Sequence, residues 1–310
     1  MESPLISVVI PIYNGANYIP ATLDSVLAST YKQFEIICME DFSTDNSKDI
    51  LKEYAQRDSR VRLIEMPHKG GDASQGIIHA IPHCKGNYFF YLSQDDLISP
   101  DCLEKCVVTA IQEDAEVVLP NMIWYYEGKD NLTGIFPGKV AANCEIAPED
   151  AFEGSITYKY HGFSLRAMAL IKREPFDGKY IDSCDTSGSR QYLKAKKIST
   201  CDGTFYYRQD NPHAINKGTK INEKTFSFIH SRIEILDYAI KNGCCKKTIR
   251  SIAKTLLRLF YNTYHKIAES NQIEQSHLDH LYLCKRQIQR YLLKVFMLRQ
   301  YMKLIFLKNL

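Results

Sequence analysis

The sequence predicts an α/β protein: a three-layer, mostly parallel sheet with a helical C-terminal extension. Three observations predict it. Over the first 120 residues, continuous apolar runs alternate with segments of helical periodicity, as expected of buried strands joined by crossover helices. Several of those runs stop at carboxylates or an amide, which places polar side chains along one rim of the sheet. From about residue 222 onward the pattern is helical, and it ends in a basic, apolar stretch.

The elements follow in order. "LISVVIPIY" is a buried strand, and residues 18–29 place Ile19, Leu23, Val26 and Leu27 at helical spacing. "FEIICMED" is the second strand. The helix after it starts at Asp45 or Ser47 and turns Ile50, Leu51 and Tyr54 inward. "VRLIEM" is the third strand, followed by a helix over about 73–83. "NYFFYLS" is the fourth, and Ser99-Pro100 opens a helix over 101–112. "AEVVLPN" is the fifth strand. Residues 125–160 read as a loop-rich excursion in which Glu149-Asp150, after a proline, marks a helix start. "FSLRAMALIKREPF" fits strand or helix, 186–196 reads as helix, and "GTFYYRQ" reads as a strand.

Composition sets bounds on function. The chain has 310 residues and a net charge of +3, but residues 241–310 hold 14 Lys and Arg against 3 acids, leaving 25 against 33 in residues 1–240. An acidic body therefore carries a basic tail. No secretion signal and no charge-free apolar span of membrane length is read, so a cytoplasmic protein is expected. The ten cysteines are scattered, which suits reduced, buried thiols, and Cys244-Cys245 has no partner pair at zinc spacing. The basic residues are confined to the tail among long aliphatics, which argues against nucleic-acid binding.

In a parallel sheet of this kind, ligands bind outside the C-terminal ends of the strands. Asn14, Asp41, Asp95 and Asp96 all fall there. Two adjacent carboxylates at a strand end can hold a hard divalent cation, which in turn can neutralise a diphosphate; they can also simply terminate the strand. Asp41 can accept hydrogen bonds from a ribose or base, or cap a turn. Neither G-x-G-x-x-G nor G-x-x-x-x-G-K-[ST] is present, which argues against a dinucleotide fold and a P-loop. The lack of a basic, glycine-rich phosphate loop after the first strand also disfavours a nucleotidyltransferase.

Together, "SVVIPIYNGANYIPATLDSVLASTYKQFEIICMEDFSTDNS" and "GNYFFYLSQDDLISPDCLEK" resemble the family-2 inverting, nucleotide-sugar-dependent glycosyltransferases of GT-A fold. The resemblance is specific through residues 5–120 and weaker to about 213. It implies a nucleotide-sugar-binding part over 1–120, an acceptor-binding and catalytic-base part of the same domain over 121–220, and a basic helical extension over 221–310. It implies that Pro11, Tyr13 and Asn14 line the nucleotide pocket and that Asp41 contacts the base, typically uracil. It also implies that Asp95, with Asp96 beside it, binds Mn²⁺ or Mg²⁺ between the donor phosphates. Phe42 stands where the family's turn has glycine, and Ser93 stands where its D-x-D motif has the first acid. The family's A-R-N-x-G helix is replaced around Ile77-Ile78, so Lys69 or His68 is expected to take over donor contacts there.

For the catalytic base, the resemblance points to "YIDSCDTSGSRQYLKAKK", with Asp185 first and Asp182 second. "YYRQDNPHAINKG" supplies Arg208 and His213 toward the diphosphate, and arginine suits bidentate phosphate contact. Trp124-Tyr125-Tyr126 can stack on an acceptor sugar or anchor the core. The resemblance implies a UDP-sugar donor and a glycan or lipid-linked glycan acceptor, in bacterial capsule or lipopolysaccharide assembly. In the tail, Arg286, Arg290 and Lys294 share a helical face, with Leu292, Phe296, Leu298 and Ile305 elsewhere. Such a tail can lie on the anionic inner face of the cell membrane, pack on the acidic body, or join a second copy in a homodimer. The alternative reading is a non-catalytic nucleotide-sugar-binding or scaffold protein with a degenerate site. Ser93 and the missing helix arginine favour it, whereas the joint presence of Asp41, Asp95, Asp96, Asp185 and Arg208 opposes it.

Overall fold

A computed structural model describes residues 3–128, 142–180, 182–212, 223–269, 275–294 and 297. Four strands alternate with helices in the first half: β1 (Ile6–Ile12), α1 (Ile19–Leu27), β2 (Phe34–Glu40), α2 (Ser47–Arg57), β3 (Val61–Glu65), α3 (Ala73–Ala80) and β4 (Tyr88–Tyr91). Then follow the two-residue β5 (Leu97–Ile98), α4 (Cys102–Gln112) and the long β6 (Val117–Tyr125). After them come α5 (Pro148–Thr157), β7 (Leu165–Ala167), α6 (Met168–Arg173), α7 (Ser183–Lys194) and β8 (Ile198–Arg208). The C-terminal extension is α8 (Glu223–Lys241), α9 (Lys246–Ala268) and α10 (Gln275–Lys294).

All eight strands form one sheet in the order β3-β2-β1-β4-β7-β6-β8-β5. The pairs β1–β2, β2–β3, β1–β4 and β6–β8 are parallel, while β4–β7, β6–β7 and β5–β8 are antiparallel. The stretch that fitted either strand or helix is both: β7 runs directly into α6. β7 wedges between β4 and β6, so the fifth long strand does not extend the parallel run. β6 crosses residue 120, joining the two expected parts of the catalytic domain in one sheet. The loop-rich excursion contains α5, whose first turn carries Pro148, Glu149 and Asp150 as a helix start should.

The apolar runs are used as their pattern requires. β1 and β2 are buried almost throughout, because both of their faces are covered. One face packs α1, α2 and α4 through Leu23, Val26, Leu51, Cys106 and Val107, and the other packs α3 and α6 through Ile77, Ala80 and Ile171. A third cluster joins β6 and β8 to α5, α7 and the three C-terminal helices. In α10, Leu281, Cys284, Ile288 and Leu292 recur at intervals of three and four and are buried in this cluster, while Arg286 and Arg290 face out. Among the described residues the tail therefore packs on the body through Leu292 and Met297. Phe296, Leu298 and Ile305, named with it above, lie outside the described residues. None of the nine described cysteines is in a disulfide.

Candidate active site

The site is built where the strands end. Val9 accepts from the Leu92 N–H, and Ile12 accepts from the Asp41 N–H, so alternate β1 residues turn toward β4 and toward β2. Pro11 turns to the β4 side just where β4 has ended, so its missing N–H costs no ladder bond. Its ring lies against α3: a Cβ on Gly76 would stand 2.8 Å from the Pro11 Cβ. Pro11 thereby sets the height of α3 at the rim.

Past β1 the chain turns through Asn14 in the left-handed region (φ 50°). The acid-rich turn after β2 holds this loop. The Asn14 side-chain oxygen accepts from the Thr44 N–H (2.8 Å), Ser43 Oγ accepts from the Asn14 N–H (3.1 Å), and Asp45 accepts from the Ala16 N–H (3.0 Å). Asp45 also binds Ser47 at the start of α2, and these bonds hold its carboxyl below the usual range despite partial burial. From the other side, Gln94 forms a two-way clamp on the Tyr13 backbone, accepting from its N–H (2.9 Å) and donating to its carbonyl (3.0 Å). The exposed Tyr13 ring is left facing outward, with Lys69 Nζ 4.8 Å from its centroid and 3.2 Å from its hydroxyl.

Asp41 is buried at the end of β2 and accepts from the Gly70 and Gly71 N–H groups at 2.6 and 3.0 Å. It thus ties the Lys69-bearing loop to the sheet. Phe42, next to it, sits at φ 57° with its ring exposed. The loop ends in Asp72, whose carboxylate caps α3 by accepting from the Ser74 and Gln75 N–H groups.

Asp95 and Asp96 separate. Asp95 is half-buried; its Oδ2 accepts from Asn211 Nδ2 (2.6 Å) and its backbone carbonyl accepts from Arg208 Nε (2.8 Å). Asp96 is buried beneath β8 and accepts from the Arg208 N–H (2.9 Å). Burial first, and then the Asp95 charge, push the Asp96 carboxyl well above the usual range. Arg208 itself is buried, paired with Glu127 and Asp210, and packed between the rings of Tyr18 and Tyr125. It binds β8 to the Asp95-Asp96 turn, with part of its guanidinium engaged by these acids. His213 lies outside the described residues.

The two acids read as candidate bases also differ. Asp182 is buried, and its Oδ2 accepts from Ser231 Oγ (2.7 Å) and Arg232 Nη1 (2.9 Å) on α8. Burial raises its pKa to about 6 against the pull of Arg232. Asp185, one turn later, has an exposed side chain in crowded surroundings. Its Oδ1 lies 3.7 Å from where a Cβ on Gly162 would stand. Enclosure raises its pKa, opposed by Arg232 and Arg166.

Tyr207 on β8 links the two halves of the site. Its hydroxyl is pushed up to about 12, first by burial and then by the charges of Asp96, Asp185 and Asp95. All three carboxylates therefore lie within electrostatic reach of one phenol. Tyr207 also borders an aromatic wall with Phe163 and Tyr91, whose rings stack at 5.5 Å. Sequence reasoning missed Gln94, Tyr207, Asn211 and Arg232. The first three adjoin motifs already singled out, but Arg232 lies in a helix about fifty residues beyond its partner and leaves no local signal.

Comparison with known proteins identifies the family and the fold. The sequence model of glycosyl transferase family 2 matches residues 7–178. The chain is 28% identical over 285 residues to the glycosyltransferase GlyG of Streptococcus pneumoniae, covering 87% of this chain and 93% of that one. It is 32% identical over 247 residues to GlyA of the same organism, covering 76% of this chain but only 34% of the relative. Among solved structures, S. aureus TarS 1–349 in complex with UDP-GlcNAc superposes with a TM-score of 0.74 at 17% identity, covering 93% of this chain and 82% of that one. With the family model spanning more than half its length, the chain belongs to glycosyl transferase family 2.

Proposed function

We propose that this chain transfers a sugar from a nucleoside-diphosphate sugar to a hydroxyl of a glycan or lipid-linked glycan, with inversion at the anomeric carbon. The observation that carries this reading is the placement of Tyr13, Asp41, Asp95 and Asp96 on one strand-end rim, with Arg208 and Asn211 bound to the Asp95-Asp96 turn and Asp185 within electrostatic reach of the same Tyr207. A UDP-sugar is the first donor to test, since the similar fold of TarS holds UDP-GlcNAc.

In this reading the base lies against Tyr13 and Asp41, and the acceptor hydroxyl lies over Asp185. Asp185 takes the hydroxyl proton as the oxygen bonds to the anomeric carbon, and the sugar–phosphate bond breaks with its electron pair leaving on the nucleoside diphosphate. Asp185 is suited to this by its exposed side chain and by the nearby charges of Arg232 and Arg166, which favour its carboxylate form against the crowding that raises its pKa. Asp182 is buried and paired with Arg232, which leaves it unsuited to meet an acceptor. Asp95 would hold a Mn²⁺ or Mg²⁺ ion. Among the described residues no three His, Cys, Asp or Glu side chains converge for a metal, so the fit requires donor phosphates and water as further ligands, a common arrangement for Mg²⁺. Such an ion supplies charge neutralisation to the departing diphosphate. A lipid-linked acceptor would bring the enzyme to the inner face of the cell membrane.

The test is calorimetric titration with UDP, GDP and dTDP, each with and without Mn²⁺, followed by sugar-transfer assays. One nucleotide should bind in a metal-dependent way, and Asp95→Ala should abolish that dependence. Asp185→Asn should hold nucleotide affinity within about twofold while turnover drops by roughly 10²–10⁴. If no nucleotide binds under any metal condition, the transferase reading fails.

A further inference from the structure

We infer that Arg232, on α8 of the C-terminal extension, is a positioning residue for Asp185: with Ser231 it clamps Asp182 at the head of α7 and fixes a positive charge beside the base. This rests on the transferase reading of Asp185. The family model ends at residue 178, so it assigns a role to neither Asp185 nor α8.

The clamp is geometric. Asp182 Oδ2 accepts from both Ser231 Oγ (2.7 Å) and Arg232 Nη1 (2.9 Å), and the Arg232 and Asp182 side chains are only 8% and 3% exposed. The backbone carbonyl of Asp182 accepts from the Asp185 and Thr186 N–H groups at 3.0 and 3.1 Å. Asp182 is thus bound to α8 through its carboxylate and to the first turn of α7, which carries Asp185, through its carbonyl. Packing alone does not call for an ion pair here. Apolar side chains would join α8 to α7 at least as stably, because burying two charges costs most of what their attraction returns.

The charge has a use at Asp185. The groups facing that carboxylate are Asp182 and Tyr192 on α7, Arg166 on β7, Tyr207 on β8 and Arg232 on α8. Enclosure favours the neutral acid, which cannot take a proton; Arg232 and Arg166 favour the carboxylate. Arg166 reaches the Gly162 carbonyl, Ser164 and Gln191, so it also braces the loop beneath Asp185. Tyr158, at the end of α5, lies against Arg232 and helps seat it. The helical extension thereby completes the site from behind.

The experiment uses the full chain with Arg232→Gln, Arg232→Lys and Asp182→Asn. The Asp185 carboxyl is titrated directly by ¹³C NMR, assigned by its loss in Asp185→Asn, and UDP calorimetry checks that each variant keeps its fold. Arg232→Gln should raise the Asp185 titration by about one pH unit. Arg232→Lys should restore it. Asp182→Asn, which removes a negative neighbour and leaves the cation, should leave the titration unmoved or lower it. The inference is overturned if Arg232→Gln leaves the titration in place, or if Asp182→Asn raises it as Arg232→Gln does. In parallel, nucleoside-diphosphate release from a UDP-sugar is followed against pH. Its acid limb should shift with the NMR titration, and kcat should change more than the donor KM. If the NMR pattern appears but the wild type releases no nucleotide, the transferase reading fails while the assignment of Arg232 to Asp185 stands.

Discussion

Phe42 is a large side chain held at φ 57°, a conformation that costs a non-glycine residue about 1–2 kcal/mol. Its ring is 51% exposed, so packing does not repay that strain. It adjoins Asp41 on the side where the nucleotide base is proposed to lie, and strain of this kind collects at functional sites. Phe42→Gly should raise stability by about 0.5–1 kcal/mol in urea unfolding and weaken UDP binding several-fold in calorimetry. A variant that gains stability at unchanged affinity would reduce Phe42 to a tolerated substitution. His161 supports the site from beneath. It is buried against the Pro120 carbonyl, and burial lowers its pKa to about 4. The folded state keeps it neutral while the unfolded chain protonates near 6.5, so stability is full above that value and falls as pH drops toward 4. Between pH 7 and 5 this residue should account for about 2 kcal/mol of lost stability. His161→Gln, which keeps a donor for Pro120, should remove most of that acid-side slope, as urea unfolding at the two pH values would show.

At the level of elements, α3 is set by one close approach. A Cβ on Gly76 would stand 2.8 Å from the Pro11 Cβ and 3.5 Å from its Cα, so the helix cannot settle on β1 with any side chain there. Alanine is the better helix former by about 1 kcal/mol. Gly76→Ala should nonetheless destabilise the protein by about 1 kcal/mol in thermal unfolding and weaken nucleotide binding, because the rim from Pro11 to Asn14 shifts with it. A stabilised variant would mean that α3 sits freely. β1 to β4 were legible in the sequence because strands covered on both faces write continuous apolar runs. β7 was not, since three residues that pair between two long strands and pass straight into α6 carry neither period. For the site, the rim acids could be read from their places at strand ends. Only the resemblance ranks Asp185 before Asp182; no local pattern separates them, because what does is Arg232, a contact made only when α8 folds back.

On the scale of the molecule, the basic tail divides into an inner and an outer face. α9 buries Ile252, Leu256, Phe260 and Ile267, and its Lys247, Arg250, Lys254 and Arg258, at helical spacing, form an exposed stripe on the other side. No helix among the described residues is long and apolar enough to cross a membrane, and α10 spends its apolar face on α8 and α9. Membrane contact by the described extension would therefore be electrostatic and not insertional. Each Lys or Arg near an anionic surface contributes about 1 kcal/mol, so four together favour binding by on the order of 10³-fold. The full chain should sediment with phosphatidylglycerol-containing vesicles, remain in solution with phosphatidylcholine alone, and be released by high salt as the charges are screened. Replacing all four stripe residues with Gln should abolish sedimentation and leave transfer to a water-soluble acceptor intact, since the stripe lies on the face of α9 away from the body. Equal binding to neutral vesicles would instead assign the contact to apolar residues beyond position 297, and no binding to either would leave the stripe without a membrane role.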